Sequence, residues 1–187
     1  MRIAHHARIF CIAVAACSIS FTSCHKNGPL VEGQSILELK IPAFASQTIP
    51  PMYTCDGSDV SPAISWGPSP MITSSFALTV VDTDTPFGFV HWVIYNIGMG
   101  THELRQGLPK QASLSDGTQG VNDFDKVGYS GPCPPGNSPH HYVFTLYALD
   151  TKLNLPSDPT RKQLESAMKG HALAYGQFTA HYLRHQT

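Results

Sequence analysis

The stretch 76–98, FALTVVDTDTPFGFVHWVIYNIG, holds two nearly continuous apolar runs, 76–81 and 90–97, rich in β-branched and aromatic residues. Runs of that length, separated by a turn-forming DTDTP segment, read as strands buried on both faces. Yet Asp82, Asp84 and His91 stand between and inside them. Burying such groups without a partner is costly. A chain that needed only a packed core would have little use for them there.

The same pattern recurs on either side. ILELKI (36–41) alternates and is ended by Pro42, a short apolar run follows at 63–66, and YVFTLYAL (142–149) is another core strand. The tail ALAYGQFTAHYL has a two-residue period and reads as a last strand, with a helix as the alternative. Residues 99–139 are mostly loop, and the prolines of SGPCPPGNSP forbid a central strand. One helix is expected, in SDPTRKQLESAMKG. Ser157 or Asp158 can cap it, Pro159 suits its first turn, and Gly170 stops it. Its apolar stripe, Leu164, Ala167 and Met168, is ordinary core packing. Many strands, one short helix near the C-terminus and no βαβ rhythm predict a mainly β protein, an antiparallel β-sandwich. No repeat or linker divides it, so 36–187 is read as one domain.

A chain of 187 residues can bury a substantial core. Its formal net charge is −1 with only 13% charged residues, so no basic field invites nucleic acid or an anionic membrane surface. Fifteen glycines and fifteen prolines suit a turn-rich β protein.

Residues 1–24 read as an export signal. Arg2 and Arg8 precede the apolar IFCIAVAACSISF, which is too short to span a bilayer comfortably. The run ends FTSC at Cys24, followed by polar HKNGP, a pattern similar to a bacterial lipoprotein signal whose cysteine is acylated. VAAC at Cys17 is the alternative acylation site, and an ordinary cleaved signal is a third reading. Residues 25–35 then form a tether. All three readings place the protein outside the cytoplasm, in the cell envelope or periplasm, and the two lipoprotein readings have it touch membrane only through an N-terminal lipid anchor. Export makes a Cys55–Cys133 disulfide available, and two reduced, partly buried cysteines are the alternative.

Asp82, Asp84 and Pro86 follow the end of one strand, His91 begins the next, and His140 opens a third. Polar groups at neighbouring strand ends, on proline-stiffened loops, can converge on one concave site. Taken singly, each has a plainer explanation. DTDTP can be an ordinary Asx turn, and His91, Trp92 and Tyr142 can be core residues.

The ordered set DTDTP, VHWVIYN, YSGPCPPG and HHYVFTLYALD resembles the phosphatidylethanolamine-binding protein family, in its bacterial Raf-kinase-inhibitor-like branch. YTCDGSDVSPAISW and LESAMKGHALAYGQFTAHY fit the same pattern, so the resemblance covers about 36–184. It implies an antiparallel β-sandwich with a small anion pocket for phosphate-bearing head groups or similar anions. Carried onto this chain, the pocket would use Asp82, Asp84, Pro86, His91, Gly131, His140 and Tyr142. His140 takes the ligand position rather than His141, because the family pattern is His–X–Tyr. Two departures are visible: Cys133 sits among the prolines of the second motif, and the chain ends without the C-terminal helix of the animal proteins.

In such a pocket a buried carboxylate can orient a histidine, whose other ring nitrogen then offers a charge-assisted bond to an anion. Main-chain N–H groups around Gly131 and the Tyr142 hydroxyl would add neutral donors. Three classes of function follow. The first is an exported protein that binds a small anionic ligand. The second is a protease inhibitor acting through protein–protein contact, since the family includes a yeast carboxypeptidase inhibitor. The third, least favoured, is a metal-dependent enzyme. No H-E-x-x-H, G-x-S-x-G or phosphate-cradling glycine loop is present, so neither catalytic residues nor a cofactor nor a metal is expected.

Overall fold

The computed structural model describes residues 35–136 and 138–184. The expected export signal, with Cys17 and Cys24, and nearly all of the expected tether fall outside the described residues. The ten strands are β1 (Ser35–Ile36), β2 (Leu39–Lys40), β3 (Ile64–Trp66), β4 (Ser75–Asp82), β5 (Phe89–Gly98), β6 (Glu103–Leu104), β7 (Ser113–Leu114), β8 (Gly117–Gln119), β9 (His140–Leu149) and β10 (Ala172–Tyr182). Among the described residues a single α-helix, α1 (Arg161–Met168), precedes β10.

Seven strands form one sheet in the order β1-β10-β9-β4-β5-β8-β7, and three form a second in the order β2-β3-β6. Every pair is antiparallel except β1 with β10, which is parallel. The mainly β sandwich expected from the apolar runs is the fold observed.

All eight residues of β4 are buried, and the two faces of its sheet explain why. Phe76, Leu78 and Val80 point into the core between the sheets with Trp92, Ile94, Phe144, Ile64 and Trp66. Ala77 faces the other way and joins Val93, Tyr95, Tyr147 and Leu149 beneath Leu164 and Met168 of α1. A strand covered on both sides loses the apolar–polar alternation of a half-exposed one.

Two expectations are corrected locally. The alternating segment 36–41 is not one strand. β1 pairs with β10, and after Leu37 the chain crosses to the other sheet, where β2 pairs with β3. The crossing is tight: a Cβ on Gly176 would stand 2.3 Å from the Leu37 carbonyl oxygen, so only glycine fits in β10 there. The helix is capped by Thr160, not by Ser157 or Asp158. Thr160 and Gln163 form a reciprocal capping box that satisfies two otherwise orphaned N–H groups. Asp158 instead takes a left-handed conformation, φ 51°, and turns the chain into the cap. Gly170, φ 80°, ends the helix as anticipated.

The register fixes the molecule's two ends. β4 and β9 run without a slip from Ser75↔Leu149 to Asp82↔Tyr142, and Asp82 also faces Phe89 of β5. The polar residues singled out in the sequence therefore gather at one end of the large sheet.

Candidate functional site

Asp82 ends β4, Phe89 and His91 begin β5, and Tyr142 lies at the start of β9. Over this sheet end folds the loop 122–135. Buried Asn122 shapes it: the side-chain amide donates to Gly128 O (2.9 Å) and Ser130 Oγ (3.0 Å), while its Oδ1 accepts from the Phe124 and Lys126 N–H groups. A disulfide joins Cys133 to Cys55, and Cys55 N–H donates to Pro132 O at 3.1 Å. The loop is thus tied to the turn Pro51–Tyr53 that precedes Cys55.

Between loop and sheet lies a cavity of about 230 Å³. Asp82, Thr85, His91 and Tyr142 supply its polar groups, and Phe89, Phe124, Cys133, Pro134 and Pro135 its walls. The rings around His91 meet it edge-to-face: Tyr142 at 5.1 Å, Phe124 at 5.3 Å and Phe89 at 5.4 Å between centroids. Rings and prolines have few conformers, so little entropy is lost when a ligand is clasped.

Asp82 is only 3% exposed, yet both its oxygens are satisfied. Oδ1 accepts the Asp84 N–H at 2.9 Å, and Oδ2 pairs with His140 Nδ1 at 2.7 Å. His91 has a different partner. Its Nδ1 lies 2.7 Å from the Ser130 carbonyl, which can only accept, so Nδ1 carries the hydrogen. Nε2 is then the atom able to meet a ligand. Burial holds the ring below the usual imidazole range, against the opposing pull of main-chain bonding from Ser130 and the Asp82 charge. Neutral His91 offers a lone pair at Nε2, and protonated His91 offers a charged N–H. The Tyr142 hydroxyl is buried without a partner in hydrogen-bond geometry. Burial, then the Asp82 charge and the close approach of the Asp82 side chain to the hydroxyl, push its pKa well up, so it stays a phenol.

Of the residues singled out beforehand, Asp82, His91 and Tyr142 line the cavity, and His140 is coupled to it through Asp82. Three stand elsewhere. Asp84 is exposed and accepts from the His141 main-chain N–H (2.6 Å) and contacts its ring at 3.0 Å. Pro86 is exposed in the turn. Gly131 donates its N–H to Asp59 Oδ1 at 2.6 Å rather than towards the cavity. A Cβ on Gly131 would lie 2.2 Å from Tyr53 O, so packing alone demands glycine. Sequence reasoning missed Thr85, Phe89 and Phe124. Phe89 was within reach, because it lies two residues before His91 on one strand and shares its face. Phe124 comes from a loop with no periodicity to read.

A second hollow, about 290 Å³, lies on the outer face of the sheet among Thr79, Val81, Thr145, Tyr147, Gln177 and Arg161. It contains neither histidine nor an unpartnered buried group. The chemistry is therefore assigned to the smaller cavity.

The family model described as phosphatidylethanolamine-binding protein matches residues 40–183. A UPF0098 protein of Aquifex aeolicus is 44% identical over 156 residues, covering 81% of this chain and 91% of its own length. UPF0098 protein PH1269 of Pyrococcus horikoshii is 41% identical, with 81% and 80% covered. Among solved structures, the phosphatidylethanolamine-binding protein homologue CT736 from Chlamydia trachomatis superposes with a TM-score of 0.72 at 32% identity, over 80% of this chain and 99% of that one. E. coli YbcL, described as a member of the mammalian PEBP family, gives a TM-score of 0.74 at 27% identity, over 81% and 100%. With its register, its cavity and a family match from Lys40 onward, the chain belongs to the phosphatidylethanolamine-binding protein family.

Proposed function

We propose that the protein is an exported binding protein whose cavity takes a small anion, a phosphate-bearing head group or a similar ester. One observation carries the reading: the buried Tyr142 hydroxyl, without a protein partner, borders the same cavity as His91. A buried donor left unpaired costs about 1–3 kcal/mol, which a ligand oxygen would recover. His91 adds a second donor when it takes up a proton, and Asp82 holds His140 beside them. The aromatic and prolyl walls suit the apolar edge of an ester.

A binding role fits better than a catalytic one. Ser130 is buried with its Oγ accepting from Asn122, and Cys133 is in a disulfide, so neither is presented as a nucleophile. That disulfide also suits the oxidising compartment expected from the export signal. We place the protein in the cell envelope, anchored through Cys24 or alternatively Cys17.

The test is an NMR titration of the His91 and His140 ring signals with phosphoethanolamine and then with zinc. Saturable shifts with the phosphate compound, lost in His91→Ala, are expected. Silence towards phosphate together with stoichiometric zinc binding would overturn the proposal in favour of a metalloenzyme.

A further inference from the structure

The end of the large sheet remote from the cavity carries three large apolar side chains in water, against Phe87, 102% exposed, at the cavity end. Met71 is 103% exposed, Ile72 68% and Met99 65%. They sit in two turns that flank one rung, since Ser75 pairs with Gly98. Lys152 and Lys169 are exposed at the same end. The Lys152 segment is held there by Ser75 Oγ donating to Thr151 O, and the Lys169 segment by Asp150 N–H donating to His171 O. Asp150, bonded to the His171 ring, and Glu103 are exposed acidic residues at the same end.

The chain also enters the domain from this end. Ser35 of β1 lies on the rung Ala174, Ala148, Phe76, Ile97, and β1 runs parallel to β10, which begins here and finishes beside the cavity. Upstream of Ser35 come the tether and the cysteine candidates for acylation. Seven residue steps of β4 separate Ser75 from Asp82, about 23 Å at the rise of a strand.

We infer that Met71, Ile72 and Met99 form a foot that rests in the membrane surface to which the N-terminus tethers the chain. Lys152 and Lys169 meet the anionic head groups around it. This rests on the lipid-anchor reading above. It orients the molecule with its cavity on the far side, about one strand length from the bilayer. The ligand is then a water-soluble phosphate ester rather than a lipid still embedded in the membrane that carries the anchor.

The test uses the full chain reconstituted in vesicles of phosphatidylethanolamine and phosphatidylglycerol with brominated acyl chains. Ile72→Trp reports the foot, Thr83→Trp the cavity end, and the unmodified chain the background of buried Trp66 and Trp92. Flotation with the vesicles, with strong quenching of Ile72→Trp and none of Thr83→Trp, is expected. A chain that floats with Ile72→Trp unquenched overturns the foot and leaves the anchor standing. Failure to float overturns both. Quenching confined to Thr83→Trp reverses the orientation and returns the cavity to bilayer lipids. In a companion titration, head-group binding at the cavity that survives Met71→Glu/Ile72→Glu/Met99→Glu, while quenching at a Trp control beside the foot disappears, separates foot from pocket.

Discussion

Asp82 and His140 are bonded on a diagonal of the β4–β9 ladder. The Cα partner of Asp82 is Tyr142, while its carboxylate reaches back two residues to His140 Nδ1 at 2.7 Å. Diagonal neighbours in an antiparallel pair share a face and lie within reach of long side chains. The directly opposed Tyr142 hydroxyl lies beside the same carboxylate but outside hydrogen-bond geometry with it, while the second oxygen of Asp82 accepts the Asp84 N–H. The carboxylate is thereby engaged on both oxygens, and the phenol is held beside it as a donor.

Tyr142→Phe separates these roles. It keeps the ring packed against His91 and removes only a hydroxyl without a partner. The free domain should be as stable as the parent, or more stable by about 1 kcal/mol, since no buried bond is lost. Phosphate-ester affinity should fall roughly tenfold, about 1.4 kcal/mol. Urea unfolding and calorimetric titration of the same preparation check both. Lost stability with unchanged affinity would assign Tyr142 to the core alone.

Acidification should act in opposite directions on the fold and on binding. Burial first of all lowers the folded-state pKa of His91. Its contribution to stability is therefore fully present above the unfolded value of about 6.5 and is lost as pH falls through the lowered folded value. An anion at Nε2 favours the protonated ring, so affinity should rise as pH falls from 8 towards 6, by up to about tenfold per unit. A phosphodiester probe avoids ionisation of the ligand itself in that range. Calorimetry in two buffers of different ionisation enthalpy should show proton uptake on binding, abolished in His91→Gln. Flat affinity without proton uptake rules out His91 as the charged donor.

The sequence made the strands legible wherever burial was continuous. Runs 76–81, 90–97 and 142–149 are sheet-core strands because both faces of the large sheet are covered. It misled where one alternating pattern served two sheets, as at Ile36 and Leu39, since periodicity reports a face and not a partner. At the site, Asp82 and His91 could be found because strand ends converge, whereas Tyr142 was reached only through the family resemblance. Gly131 stands under a packing constraint from Tyr53 O that no local pattern announces, with its main chain beside His91. Phe124 reaches His91 through the Asn122 loop, whose shape depends on bonds between residues that no local pattern links.

That reading makes Gly131→Ala a stability variant. Its Cβ would fall 2.2 Å from Tyr53 O and 2.8 Å from Thr54 Cα, both main-chain atoms that cannot move as a side-chain tip does. The loop must shift, at about 1–3 kcal/mol. Denaturant midpoints should drop accordingly, and the His91 ring signal should move even without ligand, because Ser130 holds its Nδ1. A variant with parental stability and an unmoved His91 signal would contradict the packing argument.

The disulfide couples stability to the cavity, because Cys133 is both a cross-link and a wall. Its partners are 78 residues apart, and closing so long a loop in the unfolded chain is worth roughly 4 kcal/mol, with 2–4 usual in practice. Cys55 is exposed, so a small dithiol can reach the bond. Reduction, or the Cys55→Ala/Cys133→Ala pair, should lower the unfolding free energy by about 2–4 kcal/mol. Cys55→Ala/Cys133→Ala should also weaken phosphate-ester binding several-fold, because Pro134 and Pro135 lose their tie to the turn before Cys55. Measuring both against the oxidised parent separates the two effects. A large loss of stability with undiminished affinity would show that the bonds of Asn122 are enough to hold the wall in place.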